Sequence, residues 1–152
     1  MIVRLDHIAF AVRNIEEARR KLERLGAEFL VEMENKRDGY LMVAMRLGEL
    51  VISLVTPKRE DSFIADFLKK RGEGVHHLGM EVRDLDELRK TLEERGVRVF
   101  PSEPEGKGRR EVLIGPRDAL GTVLQLIEWE GGWDLNPEER IRRMKEFHSK
   151  KA

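Results

Sequence analysis

The sequence predicts an α+β fold of two pseudo-symmetric βαβββ modules followed by a C-terminal helix. Three observations carry that expectation. First, the chain repeats itself: residues 5–26, LDHIAFAVRNIEEARRKLERLG, lie over residues 75–96, VHHLGMEVRDLDELRKTLEERG. The pairs His7/His77, Val12/Val82, Arg13/Arg83, Glu17/Glu87, Arg19/Arg89, Leu22/Leu92, Glu23/Glu93 and Gly26/Gly96 are identical. Second, each copy joins an alternating run to a run of helical period. Third, β-rich runs bounded by turn residues follow each copy.

The elements read as follows. LDHIAFAV alternates and predicts a strand. Asn14 and Glu17 then have capping-box spacing, Ile15, Ala18, Leu22 and Leu25 form one apolar stripe, and Gly26 stands where a helix end needs a left-handed residue. AEFLVEME, YLMVAMRL and ELVISLVTP predict three more strands. DSFIADFLKKRGEG predicts a linker helix over about 61–71. VHHLGMEV opens the second module, with Asp84 and Glu87 at the cap, Leu85, Leu88 and Leu92 as the stripe, and Gly96 at the end. VRVFPSE, REVLIGP and TVLQLIEWE complete it. After GGW, Asn136 is the expected cap and Pro137 the first residue of a last helix. One domain over 1–130 is expected, with modules at about 1–57 and 74–130, and a helical extension over 131–152.

Composition bounds the function. Lys plus Arg equals Asp plus Glu at 29 each in 152 residues, so no net field attracts nucleic acid or an anionic membrane. The absence of cysteine excludes disulfides and thiolate chemistry. The first residues run straight into a charged, alternating segment with no signal peptide or membrane span, so a cytoplasmic protein is expected. Three Asn and one Gln stand against 58 charged residues, a bias that fits a thermophile's ion-paired surface. The lone glutamine, Gln125, invites a location.

Alternation gives the histidines their place. His7 shares a strand face with Leu5, Ala9 and Ala11, while Asp6, Ile8, Phe10 and Val12 take the other. His77 shares its face with Gly79 and Glu81, opposite Leu78, Met80 and Val82. One histidine per module therefore projects into a space walled by small side chains. Two readings stand: a hydrogen-bonded core histidine in each half, or one metal shared at the pseudo-twofold axis. His76, on the helix side or at a strand end, and His148, on the tail helix, read as structural or solvent-exposed.

The landmarks LDHIAFAV, FIADFLKKRGEGVHHLGMEV, EPEGKGRREVLIGPRDALGTVLQL and the proline of SLVTP are similar to those of the vicinal oxygen chelate superfamily. Over about residues 3–130 the chain most closely resembles the methylmalonyl-CoA epimerases, with glyoxalase I as the next relative. The resemblance implies a cup-shaped mixed sheet and one divalent metal ion: zinc, cobalt, nickel or manganese. It places the metal ligands at His7, His77, Ser53 and Gln125. It implies a small-molecule ligand, an acyl-CoA, and a homodimer. The family's two glutamate bases fall on Met42, in the substrate-binding wall, and on Gln125, which is also the catalytic position. Glu81 and Glu111 are the other carboxylates offered for catalysis. Arg46 is offered to a substrate carboxylate or phosphate, and Lys58 and Arg59 to coenzyme A phosphates. The alternatives are a non-catalytic sequestering protein on the same cup and a glyoxalase I-like lyase.

Overall fold

In the structure, a computed structural model that describes residues 1–102, 108–131 and 136–149, the first module comprises β1 (Ile2–Ala11), α1 (Ile15–Arg24), β2 (Glu28–Asn35), β3 (Tyr40–Leu47) and β4 (Leu50–Pro57). Helix α2 (Phe63–Arg71) leads to β5 (Gly74–Val82), α3 (Leu85–Glu94), β6 (Val99–Ser102), β7 (Arg109–Ile114) and β8 (Val123–Trp129). Helix α4 (Pro137–Ser149) ends the described chain. The strand expected over 97–103 is thus observed at Val99–Ser102, and residue 103 lies outside the described residues.

The eight strands form one mixed sheet in the order β2-β3-β4-β1-β5-β8-β7-β6. Each module's first strand runs parallel to its own last strand, β1 beside β4 and β5 beside β8. The two first strands meet antiparallel at the centre, Ile8 opposite Leu78, so the halves are related by a pseudo-twofold axis at that point. The capping expectations hold: Asn14 Oδ1 accepts from Glu17 N, Asp84 Oδ1 from Glu87 N and Asn136 Oδ1 from Glu139 N, at 3.0, 3.0 and 2.9 Å.

One sheet face packs on α1 and α3. Val12, Ile15, Val43, Met45 and Leu54 form the first module's share of that core, and Val82, Leu85, Val112 and Leu126 the second's. The opposite face, with Ala11, Met42, Ala44 and Val55, is covered by Ile64 and Leu68 of α2 and by Ile141 and Met144 of α4. The C-terminal helix is therefore not a solvated tail; it lies on the face that carries the histidines. No helix among the described residues is long and apolar enough to cross a membrane.

Three register shifts interrupt the central pair, one near its start between Ile2 and Arg4 and two beside the histidines. On β1, Leu5 faces Met80 and His7 faces Gly79, which leaves Asp6 as an extra residue. On β5, His77 faces Ala9 and Val75 faces Phe10, which leaves His76 as the extra one. Residues 6 and 76 are equivalent in the repeat, so each module carries the same bulge immediately before its histidine. A bulge lets two consecutive residues serve one face. This corrects the placement of Asp6 and His76 on the helix side.

Candidate functional site

The strand pairing sets the two histidines diagonally across the axis, His7 opposite Gly79 and His77 opposite Ala9. Diagonal neighbours start about 7–8 Å apart, a gap two imidazoles can span. Their Nε2 atoms meet at 3.1 Å. The glycine is required: a Cβ at Gly79 would stand 2.4 Å from His7 Cε1 and 2.5 Å from Nδ1. Gly79→Ala should therefore swing the His7 ring out of place while leaving the strand paired. The imidazole NMR resonances of His7 and His77 should shift together, and an unchanged pair of resonances would count against this packing.

Each bulge residue braces the histidine that follows it. Asp6 Oδ1 lies 2.7 Å from His7 Nδ1, and His76 Nδ1 lies 2.8 Å from His77 Nδ1. Burial alone would raise the Asp6 pKa. The hydrogen bond and charge of His7, the indole N–H of Trp129 and the Arg140 charge outweigh it and hold the carboxyl well below the usual range. As an anion Asp6 accepts, so His7 Nδ1 donates and its Nε2 faces the cavity. Burial also pushes His76 down to about 4. It pushes His77 well below its ordinary value too, aided by the charges of His7, His76 and Arg109. Both rings stay neutral where an exposed histidine would titrate. Between pH 6.5 and about 4 the unfolded chain then binds more protons than the folded one, so stability falls as pH falls. For His76 alone the loss is roughly 3 kcal/mol across that window. A His76→Gln variant should show a flatter dependence of urea midpoint on pH, and an equal slope would refute the assignment.

The histidines line a cavity of about 420 Å³ bounded by both modules and α4. Met42, Ser53, Glu111 and Gln125 also line it, so six of the expected site residues come together. Gln125 Nε2 donates to Glu111 Oε2 at 2.9 Å, which fixes the amide, and its Oε1 is buried without a hydrogen-bond partner among the described residues. Glu111 also accepts from Ser102 Oγ at 2.5 Å and pairs with Arg109 Nη2 at 2.9 Å. His76 lines the cavity against Phe63 and Phe67, and α4 brings in Met144, Phe147 and His148. The sequence reads His76 and His148 as structural or solvent-exposed; in the structure both line the cavity, the first turned in by a bulge and the second carried in by the docked helix.

Four expected residues are elsewhere. Glu81 is fully buried, but its carboxylate meets Arg4 Nε at 2.7 Å and Arg140 Nε at 3.4 Å and does not line the cavity. The helix that closes the cup supplies Arg140 and takes this carboxylate out of play. Arg46 is drawn to the first turn of α4, bonding Glu138 Oε1 at 2.6 Å and Oε2 at 3.0 Å. Arg59 bonds Asp61 and the carbonyls of Lys36 and Arg37, tying down the β2–β3 turn, and Lys58 beside it does not line the cavity.

No cluster of three or more His, Cys, Asp or Glu side chains that could hold a metal occurs among the described residues. The donor set is two imidazoles and an amide oxygen. Metal–nitrogen bonds of about 2.0–2.1 Å, as zinc makes, put two nitrogens about 3.1 Å apart at an angle near 100°. The observed separation matches, and the unpartnered Gln125 Oε1 is a third neutral donor. The site fits a borderline divalent cation better than magnesium, which prefers an oxygen shell.

A family model described as the glyoxalase/bleomycin resistance protein/dioxygenase superfamily matches residues 6–113. An ethylmalonyl-CoA/methylmalonyl-CoA epimerase of Cereibacter sphaeroides is 35% identical over 131 residues, spanning 83% of this chain and 98% of that protein. The mitochondrial methylmalonyl-CoA epimerase of Bos taurus is 32% identical over 127 residues, spanning 81% and 73%. Among solved structures, methylmalonyl-CoA epimerase from Mycobacterium tuberculosis matches with a TM-score of 0.74 at 31% identity, over 84% of this chain and 88% of that one. A Streptomyces coelicolor methylmalonyl-CoA epimerase variant, in complex with 2-nitronate-propionyl-CoA, matches with a TM-score of 0.75 at 26% identity, over 86% and 100%.

Proposed function

Because the chain belongs to the glyoxalase/bleomycin resistance protein/dioxygenase superfamily, we propose that its cavity binds an acyl-CoA of the methylmalonyl type beside a divalent cation. His7 Nε2, His77 Nε2 and Gln125 Oε1 would hold the cation, with Ser53 too short to join them directly. The observation that carries this reading is the pair of Nε2 atoms 3.1 Å apart together with the buried, unpartnered Gln125 Oε1. Epimerase relatives at 35% and 32% identity support the ligand class.

When bound, such a cation supplies Lewis-acid polarisation of a carbonyl oxygen. The chain's own residues do the rest. Asp6 orients His7, and His76 orients His77. Glu111 holds the Gln125 amide so that its oxygen points away from the carboxylate. Met42, Met144 and Phe147 wall the acyl end off from water. Proton removal is the weak part. Met42 carries no base, Gln125 is an amide, and Glu111 has both oxygens engaged by Ser102, Gln125 and Arg109. The reading is therefore an epimerase-like binding site with slow exchange at the α-carbon.

The test is calorimetric titration with zinc or cobalt, then with methylmalonyl-CoA, on the wild type and His7→Ala. We expect the cation to bind weakly to the wild type and at least about ten-fold more weakly to the variant, since one donor of three is lost. Equal cation affinity in both proteins would remove the site. Thioester binding with no metal dependence would favour the sequestering alternative.

A further inference from the structure

Arg140 of α4 reaches the bulge that aims His7. Its Nη2 donates to the Asp6 carbonyl at 3.1 Å and to that of Leu5 at 3.5 Å, and lies 3.5 Å from Asp6 Oδ2. Its Nε lies 3.4 Å from Glu81 Oε2, an ion-pair contact, and the side chain is 9% exposed. An arginine is rarely buried to this degree unless it is paired. A second contact from the same helix arrives beside it. Phe147 stands edge-to-face against Trp129, with centroids 5.6 Å apart at 88°, and the Trp129 indole donates to Asp6 Oδ2 at 2.8 Å. The Asp6 carboxylate therefore leans on α4 through both Arg140 and Trp129, while its other oxygen meets His7 Nδ1.

The internal repeat shows why the first module needs this help. A bulge takes its extra residue out of the ladder, so the carbonyl there needs another partner. In the second module the partner is local: Thr122 Oγ1 donates to the His76 carbonyl at 3.0 Å. Gln125 faces Gly79 as Ser53 faces Ala9, so Thr122 corresponds to Leu50, whose side chain has no donor. The pairing of β1 with β4 also begins only at Ile8. Arg140 thus takes the place of the missing hydroxyl at the Asp6 carbonyl.

From this geometry we infer that Arg140 is a positioning residue: it fixes the β1 bulge, and through Asp6 the ring of His7, so the cation site is complete only with α4 docked. Helix α4 lies outside the repeat, and the cup made by the two modules depends on it at one bulge and not at the other. The inference rests on the cation reading for affinity, whereas the setting of the His7 ring can be tested without it.

The experiment uses the full chain as wild type, Arg140→Met, Arg140→Lys and Ile141→Ala. Ile141→Ala loosens α4 by trimming its buried face and leaves the bulge contacts in place. In the metal-free proteins, NMR follows the His7 Nδ1–H proton, which its bond to Asp6 should protect from solvent exchange. Calorimetry then measures zinc affinity. We expect Arg140→Met to lose the protection of that proton and to bind zinc about 10–100-fold more weakly, the usual effect of removing support behind a ligating histidine. Arg140→Lys, which keeps the charge and loses the fork, should fall between the two and serves if Arg140→Met does not fold. Ile141→Ala should keep both the protected proton and the affinity. The inference is overturned if the Arg140 variants that fold keep both as well. It is equally overturned if Ile141→Ala loses as much as they do, since α4 then acts through stability alone. Should the wild type bind no zinc while the His7 proton depends on Arg140, the cation reading fails and the positioning role stands.

Discussion

Replacing Asp6 with alanine is expected to destabilise the protein by about 3–5 kcal/mol, the usual cost of removing one partner from a buried charge network. Asp6 joins three elements. It is on β1, accepts from the Trp129 indole of β8 at 2.8 Å, and lies 3.5 Å from Arg140 of α4. Alanine would leave that indole and His7 Nδ1 without their acceptor and would take one of two carboxylates from the buried Arg140 guanidinium, which keeps Glu81 and the carbonyls of residues 5 and 6. Loss of the brace on a metal-ligating histidine commonly costs 10–100-fold in affinity, so zinc binding should weaken even where the variant stays folded. Asp6→Asn separates the two effects, since it keeps the shape but not the charge. The folded-state pKa of Asp6 is depressed, so its contribution is present above about pH 3.9 and is lost as pH falls below that value. Urea unfolding at pH 7 and pH 3 checks both points. A loss under 1 kcal/mol at pH 7 would show that Asp6 is not the junction described.

Asp6 also marks the limit of what the sequence discloses. The repeat of residues 5–26 in 75–96 makes the paired modules legible, and the small residues Ala9 and Gly79 make the histidine face legible. Strict alternation then misplaces the two residues that matter next. A one-residue bulge turns Asp6 and His76 onto the histidine face, and it leaves no trace in hydrophobic period. The available signal was chemical: polar side chains at equivalent positions 6 and 76, each immediately before the repeated histidine. Glu81 was placed on the correct face, yet its distance from the chemistry is decided by Arg140, 59 positions later in the chain. The same helix claims Arg46 through Glu138. Long-range ion pairs of this kind depend on how α4 docks, and a pattern of caps and stripes predicts the helix without predicting its seat.

The largest gain in activity is expected from placing carboxylates at Met42 and Gln125, the two positions to which the resemblance to the epimerases assigns its bases. In Gln125→Glu the new carboxylate would stand where the Gln125 amide now donates to Glu111 at 2.9 Å. Two carboxylates at that distance do not both ionise easily, so one pKa of the pair rises toward the range useful for proton transfer. The nearby Arg109 guanidinium moderates the rise by favouring the charged form. The change also gives the His7–His77 pair an anionic ligand, so cation affinity should increase. Met42→Glu is costlier: Met42 is buried against Leu30, Ile141 and Met144, and an unpaired carboxylate there is destabilising. The double variant should therefore be less stable than the wild type and still the faster catalyst. Positioned general acid–base groups commonly contribute about 10²–10⁴-fold, which sets the expected increase. Deuterium incorporation at the α-carbon of methylmalonyl-CoA in heavy water, with zinc or cobalt supplied, measures it. Rapid exchange by the wild type would mean that Glu111 acts as a base despite its three partners, and Glu111→Gln should then abolish it. If the double variant binds the thioester and exchanges no faster than the wild type, the slow step is not the missing base.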